Sequence, residues 1–447
     1  MILLLLAVPL VGALAAWIFR HLRPVAAGLA TGAVLLVAFL ALWGFDTPPF
    51  TILGRTLALD PATRTHLAIA MFLLACALAS SAHLTERDVA GSLALLGLGL
   101  LLLFLALQHI ILAMLILQAG LAILVMLIPH KAGDAAPTNM RILVVLVMAG
   151  VLLSAAAWLI EHPGASPGAI GPMALVAGLC VILGAFPFFV WKIQIYRSDS
   201  SIARTMFGVV LPHLILVRIL TLQGGALPAS GGPQAALLLN VGIATFVIGC
   251  IGALAQQTIG GVLGYMAVGE LGFVLMALGS DTPETRALAL THLILRGVAV
   301  VGLGVGAAAL RHSFGSDRLS DLRGAFRRAP LVSLGMLLAG LSLAGFPPLA
   351  GFITRLAFYR IVAIQDLGWA VALAVIGLAP ACAVVRFGIA AFQIAPMPES
   401  RREPLWPAAL ALLLGLGLLA VGLAPQVQGY LPANWSDLLF GLAGTGL

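Results

Sequence analysis

Residues Leu341 to Arg355 read LSLAGFPPLAGFITR. Apolar sequence of helical length runs in from both sides, yet the centre holds Gly345, Pro347, Pro348 and Gly351. Proline removes a backbone donor, so the helix breaks here. Arg355 follows at the depth where lipid tails would lie. A break leaves carbonyls and amides unpaired, which is tolerable in a membrane only where protein buries them or a polar cavity receives them. A charge beside such a break points to an ion pathway, not to an anchor.

The rest of the chain fits that setting. It has 447 residues, of which 62% are hydrophobic and 9% charged, a balance that indicates an all-α polytopic membrane protein. Cys76, Cys180, Cys250 and Cys382 lie inside apolar segments without metal-ligand spacing, and read as core packing. At the start, MILLLLAVPLVGALAAWIFRHLRP, the basic residues Arg20 and Arg23 follow the apolar run. This is the order of a first spanning helix with its N-terminus outside, not of a cleavable signal.

Apolar runs bounded by loop residues predict fourteen spans. They lie near 2–19, 25–44, 64–83, 89–107, 109–129, 141–161, 173–191, 204–222, 235–255, 259–279, 286–310, 331–365 (broken), 368–393 and 407–424. Inside loops then carry Arg20, Arg23, Arg87, Lys131, Arg141, Lys192, Arg197, Arg204, Arg311, Arg318, Arg323, Arg327, Arg328, Arg401 and Arg402. Outside loops carry only Arg55, Arg64 and Arg286, so the positive-inside rule places both termini outside. The net charge of +7 is on this reading a topology signal and gives no reason to expect nucleic acid as a partner. No loop is long enough for a soluble domain, and no nucleotide, zinc or haem motif is present, so no cofactor is expected. Tyr430 and Trp435 suggest a closing segment at the outer interface.

Four stretches carry a family resemblance. They are Gly184–Trp191 (GAFPFFVW), Ala255–Gly272 (AQQTIGGVLGYMAVGELG), Thr291–Arg296 (THLILR) and Leu341–Arg355. In this order and spacing the chain resembles the antiporter-like membrane subunits of respiratory complex I, membrane-bound hydrogenases, Mrp antiporters and inorganic-carbon uptake complexes. The likeness covers roughly residues 55–395. It implies two inverted five-helix repeats, each with a broken helix, and a half-channel in each. On that pattern residues 1–88 form three N-terminal helices, 89–222 the first repeat, 235–393 the second, and 394–447 the last helix and tail. The breaks are marked by Pro187 in the first repeat and by Gly345, Pro347, Pro348 and Gly351 in the second.

The departures bear on mechanism. Where the resemblance implies a fifth-helix glutamate the chain has Gln118, and the lysine of the first broken helix falls on Ile182. The histidine before Trp191 is Phe189. The eighth-helix lysine is His213, the eleventh-helix lysine is Arg296, four residues after His292, and the twelfth-helix lysine or glutamate is Arg355. Gln118 does not ionise and Ile182 carries no group at all. Histidine titrates near neutral pH and can relay a proton, whereas arginine keeps its proton and acts as a fixed charge. Both lysines, Lys131 and Lys192, are expected at the inner surface. Glu270 is the unusual residue, placed mid-span where a charge costs about 2.5–3.5 kcal/mol on insertion scales. An ion pair with Arg296 or Arg355 would offset this; a conducting Glu270 is the other option. His109 reads as interfacial, Arg218, Arg360 and Arg386 as snorkelling at helix ends, and Gly302, Gly304 and Gly306 as close packing.

The expectation is a membrane subunit of a complex I-like, hydrogenase, Mrp or carbon-uptake assembly in a bacterial-type inner membrane, with lipid around it. It would take part in proton translocation or support it, with a degenerate N-terminal half-channel and a C-terminal axis of His213, Glu270, His292, Arg296 and Arg355. The alternatives are a structural subunit that does not conduct, or a transporter of a cation or of bicarbonate. The chain has no redox site of its own on this reading.

Overall fold

The computed structural model of the chain describes residues 2–43, 49–59, 61–84, 86–129, 138–162, 170–221, 232–394 and 402–424. It opens with α1 (Ile2–Ile18) and α2 (Arg23–Trp43), then a hairpin of β1 (Phe50–Ile52) and β2 (Arg55–Leu57). There follow α3 (Pro61–Ser81), α4 (Ala90–Ala106), α5 (Ile110–Val125), α6 (Thr138–Glu161), α7 (Ile170–Leu183) and α8 (Val190–Arg197). A continuous helix comprises α9 (Ser201–Thr205), a π-helical turn (Met206–Val210) and α10 (Leu211–Thr221). Then come α11 (Pro233–Leu254), α12 (Ile259–Gly279), α13 (Pro283–Phe314), α14 (Ala325–Arg328), α15 (Pro330–Leu343) and α16 (Ala350–Gln365). The last helices are α17 (Leu367–Gly377), α18 (Ala379–Phe392) and α19 (Leu405–Leu423).

Among the described residues, nine helical segments are long and apolar enough to cross a membrane, and five further apolar helices are shorter. Each span expected from the sequence falls on a helix or a broken helix. The perimeter shows large apolar side chains outward, such as Val11, Phe39, Val144, Met148, Val385 and Ile389. That is the surface a lipid solvent requires. The enclosed centre is built from α3, the α9–α10 helix, α12 and α13. Helices α11 and α12 meet over glycines, Gly242 and Gly249 against Gly272 and Gly269. With no apolar gain from leaving lipid, such close contact is what holds membrane helices together.

The two broken helices share one backbone pattern at a constant offset of 161 residues. After α7 the amides of Gly184, Ala185 and Phe188 donate to Val181, Cys180 and Ala185. After α15 the amides of Gly345, Phe346 and Leu349 donate to Ser342, Leu341 and Phe346. Gly184 and Gly345 both sit at positive φ, 64° and 69°. A side chain there would strain the backbone, and a Cβ on Gly345 would lie 2.3 Å from Arg355 Cδ.

Several expectations are corrected. The segment read as a plain outer loop contains the antiparallel β1–β2 hairpin, and Leu57 bridges to Leu107. Cys382 is exposed, while Cys76, Cys180 and Cys250 are buried. Lys192 and Arg204 are not surface charges: both are buried, because the chain folds back through protein after the first break. Removing them leaves thirteen basic residues on the predicted inside against three outside, so the asymmetry persists. Arg218 does not snorkel but is buried, donating to Leu107 O at 2.6 Å. Lys131, Arg401, Tyr430 and Trp435 lie outside the described residues.

Candidate functional site

The second break is a problem of unpaired carbonyls, and Arg355 answers it. From α16 its guanidinium donates to Ala344 O at 2.8 Å, Leu343 O at 3.2 Å and Gly377 O at 3.0 Å. The first two are the orphan carbonyls at the end of α15, where a cation also suits the helix dipole. The chain turns back on itself through Pro347 and Pro348, and Gly351 N donates to Ser342 Oγ at 3.3 Å. The turn thus places the start of α16 against the end of α15.

The fourth partner of Arg355 is the carboxylate of Glu270 on α12. The other carboxylate oxygen lies 2.8 Å from His292 Nε2 on α13. His292 Nδ1 lies 2.8 Å from Thr354 Oγ1, one residue before Arg355. All four side chains are buried. Phe273 and Phe358 close one side, the Phe273 ring centroid lying 4.4 Å from that of His292. The result is a buried, hydrogen-bonded row running Arg355–Glu270–His292–Thr354 across three helices.

The chemistry of this row is constrained. A carboxylate only accepts, so His292 Nε2 carries a hydrogen. Thr354 has one hydroxyl hydrogen and two possible acceptors, His292 Nδ1 and Gly351 O at 3.2 Å. With neutral His292, the hydroxyl donates to Nδ1. With imidazolium, Nδ1 donates and the hydroxyl turns to Gly351 O. Protonation of His292 is therefore tied to a backbone carbonyl at the start of α16.

Arg296 is not the partner of Glu270. It donates to Gly208 O at 2.7 Å and to Ala267 O at 2.8 Å. The reason is in the sequence. In an α-helix the carbonyl of Gly208 would take the amide of residue 212, which is proline and has none. The helix widens into its π-helical turn at this point, and the unpaired carbonyl accepts Arg296. His213 follows directly, its Nδ1 donating to Val209 O at 2.8 Å. The axis expected from sequence is thus two clusters: Glu270, His292 and Arg355 at the break, and His213 with Arg296 at the π-helical turn.

In the first half, Gln118 Nε2 donates to Ser154 Oγ on α6 at 3.0 Å, away from both clusters. Ile182 is buried and apolar. Pro187 lies in the first break beside Phe188, lining an outward-facing cavity of about 240 Å³ with Arg141 and Trp191. Lys192 was missed as a buried group. Its Nζ donates to Leu183 O at 2.7 Å, capping the end of α7 as Arg355 caps α15, and Trp191 Nε1 donates to Val181 O at 3.1 Å. The available signal was its place a few residues after a Gly-Pro break. Thr354 and His66 were also missed. His109 is the N-cap of α5, accepting from Leu112 N at 3.4 Å. Gly302 and Gly306 are contacts with Ala339 and Met336, as expected for close packing.

Comparison with known proteins agrees with this architecture. Residues 165–379 match the family described as NADH:quinone oxidoreductase/Mrp antiporter, TM. Relatives include NADH-quinone oxidoreductase subunit N of Nitrosomonas europaea, 27% identical over 58% of this chain and 54% of that protein. Subunit N of Thiobacillus denitrificans is 30% identical over the same shares. The chain therefore matches about half the length of these curated relatives. Among solved structures, a chain of the Mrp complex from Dietzia sp. superposes with a TM-score of 0.78 at 18% identity, over 98% of this chain and 97% of that one. A chain of respiratory complex I from Thermus thermophilus gives 0.77 at 19% identity, over 99% and 98%. With a sequence match across both helix breaks and the same fold along nearly its whole length, the chain is similar to the antiporter-like membrane subunits of this group.

Proposed function

We propose that the chain is a membrane subunit of a complex I-related assembly and takes part in proton translocation coupled to a partner. The observation that carries this is the buried Arg355–Glu270–His292–Thr354 row, set at a helix break in the centre of the fold. Intramembrane charge is expensive and marks ion pathways. Here it is joined to a histidine whose protonation reaches the backbone of the break. The names of the relatives and the fold likeness support the same reading. Residues 89–222 and 235–393 are the two repeats on this proposal, supported by the constant 161-residue spacing of the breaks. The membrane is a bacterial-type inner membrane, and the arginine asymmetry supports both termini outside.

The second half carries the conducting groups. In the first half Gln118 and Ile182 hold no proton, and Lys192 is engaged in capping α7. A scaffold reading has its own support, since Arg296 and Arg355 are both bound to backbone carbonyls. Two measurements decide: the subunits recovered with this chain in mild detergent, and proton uptake by the whole assembly in proteoliposomes. Glu270→Gln and His213→Ala should each lower uptake in an assembly that still forms, with His213→Lys retaining more than alanine. Unchanged uptake in all three variants would favour the scaffold. A redox module as partner would support the respiratory form, and a carbonic-anhydrase-like partner the carbon-uptake form.

A further inference from the structure

We infer that His66 and His213 form a water-bridged histidine pair that passes protons between α3 and the start of α10, beside the π-helical turn. The inference rests on the proton-translocation reading above and adds a residue and a helix to it. His66 is 2% exposed and His213 is fully buried. Their ring centroids lie 6.3 Å apart with a 49° tilt. Among the described residues neither nitrogen of His66 has a hydrogen-bond partner, nor does Nε2 of His213. Buried polar atoms in native proteins are paired, with protein or with ordered water. One water with two hydrogen bonds of about 2.8 Å can join two ring nitrogens up to roughly 5.6 Å apart.

The tautomer gives the pair its chemistry. His213 Nδ1 faces Val209 O, which only accepts, so Nδ1 carries a hydrogen. In the neutral ring Nε2 is then a lone-pair acceptor. An imidazolium on His66 gives its N–H proton to the bridging water as that water passes another proton to His213 Nε2. The water is unchanged, and one positive charge has moved from α3 to α10.

Three features place this pair on a route. Gly297 has no Cβ, and one built there would lie 3.1 Å from His213 Cε1, so the ring rests against the α13 backbone next to Arg296. Arg296 Nε, on the same turn of helix, is likewise buried without a partner among the described residues. Tyr196 of α8 brings its hydroxyl against Gly208, where a Cβ would lie 2.2 Å away. Helices α3, α8 and α13 thus bring His66, Tyr196 and Arg296 to one π-helical turn, the kind of helix irregularity that recurs at functional sites.

The test uses the whole assembly in lipid bilayers with 15N-labelled histidine. Water-to-imidazole magnetisation transfer in solid-state NMR should reach both His213 Nε2 and a nitrogen of His66. His66→Phe should abolish the transfer at His213, while the His292 signals stay in place and report an intact fold. Proton uptake should fall at least about tenfold in both His66→Ala and His66→Asn, because an amide bonds water but takes no proton. Absence of transfer at either ring, or unchanged transfer at His213 in His66→Phe, overturns the pair. Wild-type uptake in His66→Asn overturns the relay and leaves the reading of the second break intact. An unmodified assembly that moves no protons refutes translocation itself, and the relay with it.

Discussion

Glu270 and Arg355 are the pair on which the site depends, and their coupling can be worked from the contacts. In Glu270→Gln the amide oxygen can still accept from Arg355, and the three carbonyl partners of Arg355 are untouched. What is lost is the counter-charge. Leaving a buried charge unpaired costs about 3–5 kcal/mol, and the retained hydrogen bonds place this variant near the lower end, about 3 kcal/mol. Arg355→Gln does more damage. It strips donors from Leu343, Ala344 and Gly377, at about 1–3 kcal/mol for each buried group left unpaired, and leaves Glu270 with His292 alone. The double variant removes both charges but not the orphaned carbonyls. It should therefore lose less than the sum of the single losses, by about 2 kcal/mol, and still be less stable than the parent. The assay is unfolding of the purified assembly in mixed micelles titrated with a denaturing detergent, followed by tryptophan fluorescence. Glu270→Gln with Arg296→Gln is the control. Arg296 is bound to Gly208 and Ala267 and shares no hydrogen-bond partner with Glu270, so this cycle should be close to additive. Additivity for Glu270 and Arg355, or strong coupling for Glu270 and Arg296, would refute the reasoning.

Thr354→Val should leave the assembly intact, cost about 1–2 kcal/mol, and shift the 15N signals of His292, since Nδ1 loses its partner; unshifted signals would count against the hydroxyl link. Gly345→Ala should cost about 1–3 kcal/mol or more, because it combines positive φ with a clash on Arg355. Gly417→Ala, with nothing among the described residues within 4 Å of the added methyl, should be neutral or slightly stabilising in the same unfolding assay. Lys192→Met should lower stability by about 1–3 kcal/mol through the lost donor to Leu183 O, and an unaffected variant would deny the capping role. A reporter fused after Leu447 should face outside and one in the 311–328 loop inside; the same side for both would refute the arginine argument.

The spans, the two breaks and the buried Glu270 were legible in the sequence because each breaks a simple rule. Apolar runs of membrane length cannot be loops, prolines cannot continue a helix, and a mid-span carboxylate needs a partner. Lys192 was misread because the same rule, that lysine seeks the surface, has no term for a chain that turns back into protein. It follows Trp191 in a segment whose composition is mixed enough to pass for an interface. Only the position of Leu183 O, an orphan carbonyl at the end of a half-helix, explains why an amine is held there.

The choice of partner for Glu270 shows a deeper limit. Arg296 lies four residues after His292, on the same face of α13, so helical periodicity offers it as readily as Arg355. Two prolines decide otherwise, and neither lies in α12 or α13. Pro212 withholds an amide from Gly208, and the carbonyl so exposed captures Arg296. Pro348, with Gly345, turns the chain back so that Arg355 lies over the end of α15 and reaches Glu270. The pairing is set by which backbone groups each break leaves unsatisfied. A substitution of Pro212 that restored the amide to the helix should therefore release Arg296 from Gly208, and with it the fixed charge beside His213, without touching either residue.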